Sequence, residues 1–106
     1  MDRKDQARYQ ARAAIFKALA HPTRLLVVDQ LAEGERCVCE LNAMVDVDVS
    51  TMSKHLSVLK SAGIVSSDKR GLKVFYKLQV PCVLSLFSCI EGVIQENAKQ
   101  QMALLQ

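Results

Sequence analysis

Hydrophobic and polar positions follow two periods along this chain, and the switch between them marks out its elements. Ala11, Ala14, Ile15, Ala18 and Leu19 recur at i, i+3, i+4, i+7 and i+8, which predicts an amphipathic first helix. "AHPTRLLVVDQLAEGE" restarts the helical period, with Pro22 suited to a first turn, Leu25, Val28 and Leu31 as the buried stripe, and Gly34 as the stop. A short third helix carries Val38, Leu41, Met44 and Val45. In "VDVDVSTMSKHLSVLKSAG", Asp48 predicts an N-cap and Gly63 the helix end. Val49, Met52, Leu56 and Leu59 mark its buried side, which leaves Ser50, Thr51, Ser53, Lys54, His55 and Ser57 exposed. The period then falls to two. Val74, Tyr76 and Leu78 alternate with Lys73, Phe75 and Lys77, a hairpin with Arg70 and Gly71 at its turn. Pro81 breaks the strand, and Val83, Leu86, Phe87, Ile90, Val93 and Ile94 form a broad stripe on a long last helix. The predicted fold is mainly α with a β-hairpin wing, in the order ααααββα, as a single domain over residues 1–106.

Composition changes this picture little. Half of the 106 residues are hydrophobic and about a quarter are charged, as in ordinary globular domains. No apolar run is long enough to span a bilayer, and "MDRKDQARYQAR" lacks the apolar middle of a signal peptide, so a cytoplasmic protein is expected. Four cysteines in that compartment are expected to be reduced, which disfavours a disulfide framework and points to metal binding or redox chemistry.

Charge changes it more. The net charge is +3, yet residues 49–80 alone carry +5, with Lys54, Lys60, Lys69, Arg70, Lys73 and Lys77 against a lone Asp68. Residues 35–48 carry −3, one Arg against four acids. A basic concentration of this kind suits a polyanionic partner. The stretch "LNAMVDVDVSTMSKHL" has the form of a helix-turn-helix, whose second helix enters the major groove of DNA. Ser50, Thr51, Ser53 and His55 can exchange hydrogen bonds with base edges there, and Lys54 adds charge. A hairpin bearing Lys69, Arg70 and Lys73 then reads as a wing that grips phosphate or reaches the minor groove. One such domain covers little duplex, so a homodimer on a two-fold site is expected. The first helix and the last, at about residues 82–105, offer apolar faces wide enough to close it. No Gly-rich phosphate loop and no nucleophile–histidine arrangement is present, so an enzyme is not expected.

The segments "ALAHPTRLLVVDQLAEGERCVCEL", "STMSKHLSVLKSAGIV" and "KRGLKVFYKL" resemble the ArsR/SmtB family of winged-helix repressors over roughly residues 10–80. The resemblance implies a dimeric repressor that leaves operator DNA on binding an inducing ion. Within the family, Cys37-Val38-Cys39 followed by Glu40 and Leu41 is most similar to the arsenical- and cadmium-sensing members, whose third-helix thiolates are ligands. Soft thiolates suit As(III), Sb(III), Cd(II) and Pb(II), and no organic cofactor is implied. The chain departs from the arsenical pattern at Asn42, where a third cysteine is usual, and from the zinc-sensing pattern in having only His21 and His55. Cys82 and Cys89 lie two turns apart on the last helix, about 10 Å along its axis, so they cannot chelate one ion together. Each is either a packing residue of the apolar stripe or a third sulfur for Cys37 and Cys39.

Local geometry constrains the pair. Residues i and i+2 diverge in a helix but share a side in extended chain. Two sulfurs about 2.3 Å from one ion lie within roughly 4 Å of each other, so residues 37–39 must be extended or the helix start unwound. The alternative on the same scaffold is a thiol-redox or sulfide-responsive repressor; a structural zinc site is a third reading.

Overall fold

The computed structural model describes all 106 residues as five helices and three strands. They are α1 (Arg3–Leu19), α2 (Pro22–Ala32), β1 (Arg36–Cys37), α3 (Val38–Met44), α4 (Val49–Ser61), β2 (Val65–Arg70), β3 (Lys73–Leu78) and α5 (Val83–Leu104). The winged helix-turn-helix order is as expected, with one addition. The two-residue strand β1 pairs antiparallel with β3, so the wing is the outer part of a three-stranded sheet ordered β1-β3-β2. A strand this short leaves almost no period for sequence reading.

Local chemistry sets the boundaries. Pro22 opens α2, and the His21 ring caps it by accepting the Thr23 N–H at 3.1 Å through Nδ1. Asp48 caps α4 through the Thr51 N–H at 2.7 Å. At the other end, Gly63 takes φ +82°, and the Gly63 and Ile64 amides donate back to Lys60 and Leu59 at 3.0 Å each. That pair of bonds is a Schellman stop, which turns the chain directly into β2. The wing turn is Gly71–Leu72 rather than Arg70–Gly71; Gly71 supplies φ +63° in a two-residue hairpin loop, and Leu72 is fully exposed at its tip.

The core joins α2, α3, α4 and the sheet. Val27, Val28 and Leu31 of α2 meet Leu41 of α3, Met52, Leu56 and Leu59 of α4, and Ile64 and Val65 at the start of β2. Three expected core positions face elsewhere. Leu25 lies roughly 200° around α2 from Val27 and lines an apolar groove with Phe16 of α1 and Leu86, Phe87 and Ile90 of α5. Val49, the first residue of α4, is 62% exposed, and Met44 is exposed at the end of α3. From α1 only Ala18 and Leu19 are buried, and α5 buries no residue at all. Cys82 and Cys89 are accordingly exposed in the single chain, so neither packs into its core.

Candidate DNA interface and thiol pair

Helix α4 presents one polar face. Ser50, Lys54, Ser57 and Ser61 recur at i, i+4, i+7 and i+11, opposite buried Met52, Leu56 and Leu59. Ser53 and Lys54 are exposed, and Thr51 is half-buried beside them. The Ser50 hydroxyl donates to Asp48 at 2.8 Å, which fixes the helix start. The Thr51 N–H first, then the Thr51 and Ser50 hydroxyls, hold the Asp48 carboxyl below the usual carboxylate range.

His55 departs from the expected face. It is only 9% exposed and faces the α1–α2 corner, its ring 4.3 Å from that of His21. Its Nδ1 accepts from Arg24 Nε at 3.1 Å, so the neutral tautomer is the one that fits. Burial first, then the neighbouring His21 and Arg24, push the His55 pKa down. The serine-rich surroundings at 50–57 suggested an outward face. Position 55, however, falls on the same side of the helix as Met52 and Leu59.

Arg70 also departs. Its guanidinium is held by Glu35 and Asp68, each at 2.9 Å, and lies 4.7 Å over the Phe75 ring. Two carboxylates and an aromatic face occupy the group that was expected to grip DNA. The wing's free cations are Lys69 and Lys73, both exposed and flanking the turn, and Lys77 further along β3. Arg70 instead ties the wing to the Glu35 loop.

That loop leads into the cysteine pair. Cys37 ends β1 in extended backbone, opposite Phe75 of β3, and is buried; Cys39 lies in the first turn of α3 and is exposed. The two are joined as a disulfide with Cα atoms 5.3 Å apart, against the expectation of reduced thiols. The extended Cys37 is what brings both sulfurs to one side. Cys37 is also the N-cap of α3: its sulfur accepts the Glu40 N–H at 3.3 Å, and Glu40 Oε1 accepts the Cys37 N–H at 3.2 Å. Cys-x-x-Glu is thus a capping box with sulfur in place of oxygen, a signal legible at this spacing but read only as a ligand motif. Exposed Cys39 borders a cleft of about 450 Å³ with Val38, Asn42, Ala43 and Val49, at the junction of α3 and α4. The Asn42 Oδ1 is buried there without a hydrogen-bond partner. Within one chain no three His, Cys, Asp or Glu residues converge as a metal site.

Comparison with known proteins places this arrangement. The model of a bacterial regulatory protein family, arsR, matches residues 21–67, which span α2 to the middle of β2. The HTH-type transcriptional regulator Rv0081 of Mycobacterium tuberculosis is 31% identical over 99 residues, 92% of this chain and 87% of that protein. The chain belongs to the ArsR/SmtB family. A Synechocystis protein described as a transcriptional repressor SmtB homolog is 38% identical over 93 residues, 88% of this ArsR-family chain and 69% of its own. The homodimeric winged helix-turn-helix DNA-binding domain Mb0332 of Mycobacterium bovis superposes with a TM-score of 0.77 at 30% identity, over 94% of this chain and 93% of that one. The ArsR-family chain is therefore a DNA-binding transcriptional regulator in fold and kinship, and its relatives are regulators rather than enzymes. No helix of this regulator is long and apolar enough to cross a membrane.

Proposed function

We propose that this chain is a homodimeric transcriptional repressor that releases operator DNA when the Cys37 and Cys39 sulfurs become bridged. The position of the pair carries the reading. One sulfur ends the strand paired with the wing, and the other rides the helix that leads into α4. A bridge between them fixes the angle between the wing's sheet and the helix-turn-helix, and only one such angle can satisfy both on the same duplex. Inducer and DNA are then negatively coupled.

Two kinds of bridge suit the pair. As(III) or Sb(III) exchanges two hydroxides for two thiols with loss of two waters, and Cd(II) or Pb(II) takes the same soft donors. Cα atoms 5.3 Å apart let the two reduced thiols reach one ion, and the "CVCEL" resemblance supports this inducer. The second bridge is the disulfide itself, formed when peroxide or a small disulfide takes two electrons and two protons from the thiols. The joined pair supports this redox reading. Ser50, Thr51, Ser53 and Lys54 serve as the reading face, with Lys69 and Lys73 on phosphate. The dimer closes through the exposed apolar residues of α1 and α5, among them Phe16, Ile90, Val93 and Ile94.

The test uses a duplex that the reduced protein selects from a random-sequence pool. Fluorescence anisotropy follows its release by arsenite, antimonite, Cd(II), Pb(II) and peroxide, for wild type and for Cys37→Ser, Cys39→Ser, Cys82→Ser and Cys89→Ser. The expected result is release of wild type by a thiophilic ion or by oxidant, lost in the first two variants and kept in the last two. Release of the Cys37→Ser/Cys39→Ser protein by every agent that releases wild type would overturn the proposal.

A further inference from the structure

A cleft of about 750 Å³ lies between the last turns of α1, the start of α2 and the C-terminal half of α4. Lys17, Arg24 and Lys54 contribute a cation each from three helices, Ser57 and Ser61 contribute hydroxyls, and no carboxylate lines it. Lys17 and Lys54 form no ion pair anywhere in the chain. Arg24 is held in place: Nε donates to His55, and Nη1 donates to the Lys17 and Ala18 carbonyls at 3.4 and 3.3 Å. Three like charges gathered with no carboxylate among the lining residues repel one another, and an anion seated between them relieves that repulsion.

The cleft continues the reading face. Ser50 and Lys54 form the upper half of the α4 stripe, and Ser57 and Ser61 continue it into the floor of the cleft. A duplex laid along that stripe brings its own backbone to the cleft as the major groove ends. We infer that the cleft seats a backbone phosphate of the bound DNA, held by Lys17 and by the free edge of Arg24, with Ser57 and Ser61 as hydroxyl donors. The inference rests on the DNA-binding reading and is independent of the thiol switch. It extends the footprint from the helix-turn-helix and wing to the end of α1, a helix whose apolar stripe otherwise faces the dimer.

Phosphate contacts leave a signature that base contacts do not. Each one lost makes the slope of log K against log salt shallower by about 0.9, whatever the DNA sequence. Reduced full-length protein is titrated between 50 and 300 mM salt on the selected duplex and on an unrelated one of equal length. Lys17→Gln is expected to weaken both several-fold and to flatten the slope by about 0.9 for each protomer bound, with Lys17→Arg restoring it. Lys4→Gln removes the same charge about 20 Å away along α1 and is expected to leave the slope alone. An unchanged slope in Lys17→Gln, or an equal change in Lys4→Gln, would overturn the inference. Wild-type protein that binds neither duplex would sink the DNA-binding reading itself.

Discussion

Two side chains expected to reach DNA have other partners, and each explains something the sequence pattern could not. His55 is a hydrogen-bond acceptor at the α1–α2 corner, where Arg24 clasps it and the His21 ring lies tilted beside it. Because its pKa is lowered in the folded chain, the unfolded chain takes up the proton first as pH falls. Stability is therefore full above the ordinary histidine value of about 6.5 and declines below it, by at most about 1.4 kcal/mol per pH unit for one linked proton. Urea melts between pH 5 and 8 should show that decline in wild type and a flatter profile in His55→Gln, which still offers Arg24 an acceptor. A profile equally steep in the variant would remove His55 from the linkage. A polar residue amid serines reads as exposed unless its partner is known, and that partner stands 31 residues away. By contrast, Asp48 and Pro22 were legible because each acts on backbone within three residues.

At the scale of elements, the strand that escaped sequence reading is the one on which the proposed coupling depends. β1 sets Cys37 opposite Phe75, the Phe75 ring carries Arg70, and Arg70 returns to Glu35 beside β1. Thiol pair and wing are thus one mechanical unit, whereas the period of two showed only the hairpin. Glu35→Gln removes one of the two carboxylates that hold Arg70. Amides of residues 69–73 should then exchange roughly three- to tenfold faster, while those of α4 keep wild-type protection. Faster exchange in α4 as well would mean that the latch supports the whole domain rather than the wing. The reading helix itself was legible in its cap, its stop and three of its four core positions. Val49 failed because a residue in a helix's first turn projects past the core it leads into.

The whole molecule is more extended than its length requires. Its radius of gyration is 16.8 Å, against about 13 Å for a compact domain of this size. The excess comes from α1 and α5, whose stripes promised more core than one chain can close: Phe16, Ile90, Val93 and Ile94 remain exposed. A second copy is the partner such faces fit. Ile94→Glu places a charge in that face and is expected to halve the mass measured by light scattering and to weaken operator binding at least tenfold, with helix content retained. A variant that stays dimeric would move the interface elsewhere. Amphipathic periodicity told which face of each helix is apolar but not whether the same chain or another covers it.

Cys37 and Cys39 enclose only Val38 between them. A link across so few residues takes less freedom from the denatured polypeptide than one that spans a long loop. Opening or closing it should therefore move the melting temperature less than a long-range disulfide would, so a switch of the kind proposed here would cost the fold little at each turn.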